Sequence, residues 1–198
     1  MTRYQDTKGT VEEFKQQLTI LFGLLTVFWL VELIDLFLLQ SYSLDHFGIA
    51  PRQVLGLRGI LFAPFLHGNL PHLIANTVPF LTLGWLVMLQ ETKDFWRVTG
   101  VTMLVGGFGV WLIGQRGSIH IGASILIFGY LGFLLFRGYF QRNAPSIALS
   151  IIVSIFYGSF IWGVLPTQAG ISWEGHLFGF LGGVIAARWI GKSRRNGY

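Results

Sequence analysis

Four polar residues in three apolar segments of this chain are of the types that carry out hydrolysis. His72 and Asn76 lie one helical turn apart in the stretch HLIAN, Ser124 lies in GASI, and His176 follows a glycine in GHLFGFLGG. Serine becomes a nucleophile when a histidine takes its proton, and histidine suits this task because its pKa lies near neutrality. Polar side chains are expensive in apolar surroundings, so these residues indicate a buried reaction centre.

The spacing of these residues predicts a division of roles. Ser124 would be the nucleophile and His176 its base. His72 and Asn76 share one helix face, from which both can donate hydrogen bonds to a developing oxyanion, and each such donor is worth roughly 3 kcal/mol. Simpler interpretations stay open for each residue alone: a serine that eases helix packing, a histidine bonded to a carbonyl, and an asparagine that joins two helices.

Neighbouring residues have supporting roles in this interpretation. Gly122 lets the chain turn tightly before the serine. Gly179 and Gly183 form a small-residue face below His176, which allows its helix to approach the serine helix. Phe128, four residues after the serine, lies on the same helix face, and its ring is expected to stack on the histidine. Since no carboxylate occupies a comparable position, a Ser-His dyad is predicted instead of a triad.

The composition is that of a membrane protein. The 198 residues suffice for one domain, 53% of them are hydrophobic and only 12% are charged, and the mean hydropathy is +0.60. The absence of cysteine excludes disulfides, thiol nucleophiles and cysteine metal sites. The net charge is +5, and the charged residues lie between the apolar segments. This distribution favours a lipid bilayer and not a nucleic acid as the partner.

A spanning helix needs roughly 20 apolar residues, and six segments meet this requirement. The predicted fold class is therefore an all-α membrane protein, a bundle of six transmembrane helices over residues 18–191. A cytoplasmic tail (1–17) precedes it and a basic cytoplasmic tail (192–198) follows it. The predicted spans are Leu18–Leu39, Leu70–Leu89, Phe95–Ile113, Gly122–Phe140, Ser146–Val164 and Trp173–Ile190. The long connection 40–69 is expected to be a structured loop at the membrane surface.

The distribution of lysine and arginine predicts the orientation. With alternating spans, eleven of these residues fall on the side of the two termini and three on the other side. Both termini are therefore predicted to be cytoplasmic. The first turns of the second, fourth and sixth spans, and with them His72, Ser124 and His176, then share one depth near the outer surface.

The chain resembles the rhomboid family of intramembrane serine proteases. The resemblance extends roughly from Arg58 to Gly183 and is carried by FLHGNLPHLIAN (65–76), GASI and GHLFGFLGG. It implies a six-helix bundle with a water-filled cavity open to the outer side. His67 and Arg58 match recurring residues of the family's first loop, and Phe128 matches a position that is usually aromatic.

The same resemblance implies a function. It makes Ser124 the nucleophile, His176 the base, and His72, Asn76 and the Ser124 amide the oxyanion donors. The substrate would be a transmembrane segment of another membrane protein, with small residues at the cleavage site, and it would enter beside the fifth span. No metal or cofactor is required, and the protein is expected in a bacterial cytoplasmic membrane with its active site toward the outer side.

One residue departs from the family pattern, and other functions remain open. Ile125 stands where the GxSG motif of rhomboids has its second glycine. Its side chain must overpack the contact between the fourth and sixth spans or turn toward another helix. Because overpacking would displace the dyad, Ile125→Gly is expected to raise proteolysis at least about tenfold while leaving the fold intact. A catalytically impaired rhomboid-like protein that binds membrane helices without cleaving them is the alternative.

A small transporter or metal carrier is a third class of function. It would use Glu32 and Asp35 of the first span, or the loop histidines His46 and His120. The chain lacks inverted repeats and broken-helix signals, and it has no HExxH motif. The two carboxylates are instead expected to pair with Arg58 or with donors of the first loop.

Overall fold

The structure is a computed structural model that describes residues 2–39, 43–166 and 170–195. Within these ranges the fold is helical, and extended pairing is limited to one bridge between Ile49 and His120. The α-helices are α1 Thr2–Ile34, α2 Gly59–Phe62, α3 Leu70–Met88, α4 Thr92–Ile113, α5 Ser124–Gln141, α6 Ala144–Tyr157 and α7 Trp173–Arg195. Shorter turns of other helical types are Asp35–Leu39, Leu44–Phe47, Val54–Arg58, Ala63–Phe65 and Gly158–Val164.

Five helical segments are long and apolar enough to cross a membrane by length and composition. They are Gly9–Leu39, Leu70–Met88, Thr92–Ile113, Ser124–Gln141 and Ala144–Val164. The predicted sixth span corresponds to α7, which is long enough at 23 residues but is not among the five. Several charged residues at its two ends, including Glu174 and Lys192, lower its apolar content.

The helix boundaries differ from the predicted spans at both ends of the chain. Residues 2–17, predicted as a separate tail, continue α1 without interruption. The α7 helix runs to Arg195 and so includes part of the predicted second tail. Charged residues end a membrane span but not a helix, because the backbone hydrogen bonds continue in water.

Two internal boundaries also differ. The α5 helix begins at Ser124, so Gly122 lies outside it with a φ of 114°. Beyond Tyr157 the α6 helix tightens into a 3₁₀ segment, Gly158–Val164. The connection predicted as a structured loop does contain helical turns and α2, and Trp111 of α4 donates a hydrogen bond from Nε1 to Gln53 O at 2.8 Å.

The centre of the bundle is the contact between α5 and α7. A Cβ at Gly183 would overlap the carbonyl oxygen of Gly129, and one at Gly132 would overlap that of Phe180. The two backbones touch at these points, which is possible only without side chains. The small-residue face predicted around Gly179 and Gly183 of α7 therefore packs on α5, the helix that begins at Ser124.

The other end of the bundle contains a buried ionic cluster. Asp94 of α4 is fully buried and accepts a hydrogen bond from Arg194 Nη2 at 2.7 Å. Arg137 of α5 is equally buried, and its Nη2 lies 3.8 Å from Asp94 Oδ2. These charges connect α4, α5 and α7 at the end away from Ser124.

The carboxylates of Glu32 in α1 and of Asp35 directly after it were expected to pair with loop donors or Arg58. Asp35 does accept hydrogen bonds from Leu44 N at 2.6 Å and Ser43 Oγ at 2.9 Å. Glu32 is 1% exposed, and its Oε1 has no hydrogen-bond partner among the described residues. Arg58 instead donates to a backbone carbonyl of the loop. No group of three metal-ligating side chains occurs in the described part of the chain.

Candidate active site

One cavity of about 1010 Å³ is lined by the first turns of α3, α5 and α7. His72 and Asn76 reach it from α3, Ser124 and Phe128 from α5, and His176 from α7. Residues up to about 100 positions apart in sequence therefore share a single cavity. This is the clustering that the alternating topology predicts.

The imidazole of His176 is held by two contacts. Its Nδ1 lies 2.8 Å from the carbonyl oxygen of Gly163, and its ring stacks on Phe128 with centroids 3.9 Å apart and an interplanar angle of 8°. The predicted stacking is thus present. Since a carbonyl oxygen only accepts, Nδ1 carries the proton and Nε2 keeps the lone pair that a general base needs.

Ser124 is the first residue of α5. Its backbone N–H is among those at a helix N-terminus that have no partner within the helix. Among the described residues, its hydroxyl forms no hydrogen bond. The hydrogen bond between Ser124 and His176 therefore stays a prediction, and such bonds often tighten only in the substrate complex.

The two candidate oxyanion donors converge on the turn before Ser124. A Cβ at Gly122 would lie 2.6 Å from His72 Cε1, 2.7 Å from His72 Nε2 and 3.7 Å from Asn76 Nδ2. Gly122 also has a positive φ of 114°, so glycine is required there for both reasons. The Nδ2 of Asn76 is buried and has no hydrogen-bond partner in the described structure, which leaves this donor available to a ligand.

His67 holds the turn before Ser124 through a hydrogen bond to its backbone. It is 1% exposed, and its Nε2 accepts a hydrogen bond from Ala123 N–H at 3.4 Å. Burial lowers the pKa of His67 to about 3, with His72 adding to the effect and the Phe65 carbonyl opposing it. The ring is therefore neutral and acts as an acceptor. The sequence indicated His67 only through the resemblance of FLHGNLPHLIAN to the first loop of rhomboids.

Arg58 does not line the cavity. Its Nη2 donates to His46 O at 3.0 Å, and its guanidinium lies 4.3 Å from the centroid of the Phe47 ring. The structure thus assigns it to the folding of the first loop.

Sequence comparison decides the family. A profile described as "Rhomboid domain" matches residues 55–193. The chain belongs to the rhomboid family. It is 42% identical over 185 residues to an uncharacterized protein of Mycobacterium tuberculosis (89% of this chain, 76% of the relative). It is 43% identical over 179 residues to one of Mycobacterium leprae (86% and 70%). It is 31% identical over 156 residues to RHOMBOID-like protein 4 of Arabidopsis thaliana (70% and 37%).

The structure shows how this rhomboid accommodates Ile125. A Cβ at Gly106 of α4 would lie 2.8 Å from both Cγ1 and Cδ1 of Ile125. The isoleucine side chain thus points to a gap in α4, while Gly179 of α7 packs on the carbonyl of residue 125. Of the two expected outcomes, the side chain turns toward another helix. The missing signal in the sequence was Gly106, one of 26 glycines.

A hydrogen-bonded group in the rhomboid cavity was missed from the sequence. Ser118, His120 and Ser172 line the cavity beside Ser124 and His176. The sequence indicated His120 only as a loop histidine. Its partners lie 2 and 52 positions away, and the more distant one has no local sequence pattern.

Proposed function

We propose that this chain is an intramembrane serine protease in which Ser124 and His176 form a catalytic dyad. The observation that carries the proposal is the cavity, which is lined both by a serine at a helix N-terminus and by a histidine of fixed orientation. The Nδ2 of Asn76, which has no hydrogen-bond partner among the residues that the structure describes, supplies a donor in the same cavity. Membership of the rhomboid family supports the same reaction class.

The residues would act in a defined order. His176 Nε2 takes the proton of Ser124 Oγ as this oxygen attacks the scissile carbonyl carbon. Asn76, His72 and the Ser124 amide donate hydrogen bonds to the resulting oxyanion. His176 then protonates the leaving amine as the C–N bond breaks. A water molecule, deprotonated by the same histidine, hydrolyses the acyl-enzyme and restores Ser124.

The proposed substrate is a transmembrane segment of another membrane protein. Five helical segments are long and apolar enough to cross a membrane, which supports a cavity in a protein surrounded by lipid. There, extended backbone is available only from locally unstable helices. The reaction uses groups of the protein and water, and it calls for no metal or cofactor. From the distribution of basic residues, we place the cavity at the outer face of a bacterial cytoplasmic membrane.

Cleavage of a model transmembrane substrate in liposomes tests the proposal. Wild-type protein is expected to cleave it, and Ser124→Ala and His176→Ala are each expected to lower kcat by at least about 10³-fold. Phe136→Ala, on the far half of α5, serves as a control for general damage. Cleavage by Ser124→Ala at the wild-type rate would refute the assignment of the nucleophile.

A rhomboid-like protein that binds membrane helices without cleaving them is the second candidate. Two observations favour it: Ile125 in the serine motif, and a Ser124 hydroxyl that forms no hydrogen bond with the described part of the chain. A fluorophosphonate probe separates the two functions, because only an activated serine reacts with it. Labelling of wild-type protein but not of Ser124→Ala supports the protease. Retained capture of a transmembrane peptide without labelling supports the binding protein.

A further inference from the structure

His120 connects the two loops that precede α5 and α7, the helices that carry the candidate dyad. Its Nδ1 lies 2.6 Å from Ser172 Oγ, and its Nε2 lies 2.8 Å from Ser118 Oγ. Its backbone is fixed by two hydrogen bonds to Ile49, at 2.9 and 3.0 Å. Both ring nitrogens and both backbone polar groups are therefore engaged.

The direction of these hydrogen bonds follows from the other partners of the two serine hydroxyls. Ser118 Oγ lies 2.6 Å from the Gln115 carbonyl oxygen, so its proton goes there and it accepts from His120 Nε2–H. His120 Nδ1 is then an acceptor, and Ser172 Oγ–H donates to it. Ser172 Oγ in turn accepts from Gly175 N–H at 3.2 Å. Each of these protons therefore has a single acceptor, and His120 is the neutral tautomer that is protonated at Nε2.

This chain of hydrogen bonds ends at the residue before the candidate base. The N–H of His176 itself donates to Ser172 O at 3.1 Å, so Ser172 holds the start of α7 through both its side chain and its backbone. At the other end, His120 lies four residues before Ser124. Burial lowers the pKa of His120, with Glu174 opposing the effect, and a neutral ring is what the chain of donors requires.

We propose that His120 is a positioning residue that fixes the loop before Ser124 against the start of α7. This inference rests on the proposed protease function. We call the hydrogen-bonded side chains of Ser118, His120 and Ser172 the His120 clasp. Its loss would let the two loops move relative to each other, and a displacement of about 1 Å can cost about 10²-fold in rate.

Three substitutions at position 120 separate the two halves of the clasp. His120→Asn places an amide oxygen near Nδ1 and can keep the bond to Ser172. His120→Gln places an amide nitrogen near Nε2 and can keep only the bond to Ser118. His120→Phe fills the space without hydrogen bonds. We expect kcat to fall about tenfold or more in the Phe variant, with KM within about twofold of wild type, and to stay within about threefold in the Asn variant.

Two measurements test the clasp without proteolysis. ¹⁵N-histidine NMR of the full chain should show His120 protonated at Nε2 and unprotonated at Nδ1. Amide hydrogen exchange at Gly175 and His176 should be faster in His120→Phe than in wild type and close to wild type in His120→Asn. Thermal unfolding of each variant in detergent shows whether it is folded.

The outcomes distinguish this inference from the proposed function. If wild-type protein neither cleaves substrate nor reacts with the fluorophosphonate, the protease proposal fails, and the tautomer and the exchange rates still decide the clasp. If the wild type is active and His120→Phe matches it in kcat and in exchange, the clasp is refuted. A His120 protonated at Nδ1 would refute it as well.

Discussion

Residue 125 illustrates how one side chain depends on the residue opposite. Ile125 occupies the space that Gly106 leaves open, and a Cβ at Gly106 would also lie 3.3 Å from Gly179 Cα. We expect Gly106→Ala to destabilise the protein by about 1–3 kcal/mol through overpacking. Thermal unfolding in detergent measures the loss.

A double substitution tests the same contact. Ile125→Gly alone should cost about 2–5 kcal/mol, since it leaves a cavity beside Gly106. In the protein that carries both substitutions, the new methyl group occupies part of this cavity. The two losses should therefore be less than additive by at least about 0.5 kcal/mol. Strict additivity, or a stabilised Ile125→Gly variant, would show that the side chain packs elsewhere.

His67 predicts how stability depends on pH. Its pKa falls from 6.5 to about 3 on folding, so the unfolded chain binds the proton more strongly. The stability that the folded protein gains from keeping His67 neutral is complete above about pH 6.5 and is lost as the pH falls toward 3. At pH 5 the loss amounts to about 2 kcal/mol. Unfolding titrations in mixed micelles at pH 7 and pH 5 measure it.

A glutamine at position 67 is the control for this pH dependence. His67→Gln keeps an acceptor for the Ala123 amide but does not titrate. The variant should therefore lose about 2 kcal/mol less than wild type between pH 7 and pH 5. Equal losses in the two proteins would mean that folding does not lower the pKa of His67.

At the scale of helices, the contact between α5 and α7 controls how closely the dyad residues approach. Gly183 touches the backbone of Gly129, whereas Gly100 of α4 has no atom within 4 Å of the Cβ position. Gly183→Ala should therefore lower the melting temperature and the cleavage rate. Gly100→Ala should stabilise the protein by about 0.5–1 kcal/mol, because alanine favours a helix. Equal behaviour of the two variants would contradict the packing described here.

The existence of most helices could be predicted, but some of their ends could not. Leu70 and Ile113 are helix ends in both the prediction and the structure, because Asn69 caps α3 and Gly114 follows α4. The α1 helix begins at Thr2, 16 residues before the predicted first span, because a polar segment can continue a helix outside lipid. The apolar pattern indicates which residues lie in the bilayer, but it does not indicate where the helical backbone begins or ends.

For the whole molecule, the orientation in the membrane is a prediction from charge alone. Eleven of 14 basic residues lie on the side of the termini, so reporter fusions at Tyr198 should be cytoplasmic. Fusions in the loop that contains Arg116 should report the opposite side. The reverse result would place the cavity at the inner face and exclude substrates cleaved from outside.

The sequence by itself determined the family, the apolar helices and the residues around the cavity. Ser124, His176, His72 and Asn76 could be found because apolar segments make polar residues conspicuous and because their motifs have fixed local spacing. Their clustering followed from alternating spans. These features depend on local pattern and on the solvent that surrounds each helix.

Only the tertiary structure decided how these residues are held. The Gly163 carbonyl that orients His176, the gap at Gly106 and the clasp from His120 to Ser172 join segments with no common pattern. Such contacts depend on distances of a few tenths of an ångström between packed backbones. Sequence periodicity states which face of a helix is apolar, but the atoms that meet across that face are fixed by packing alone.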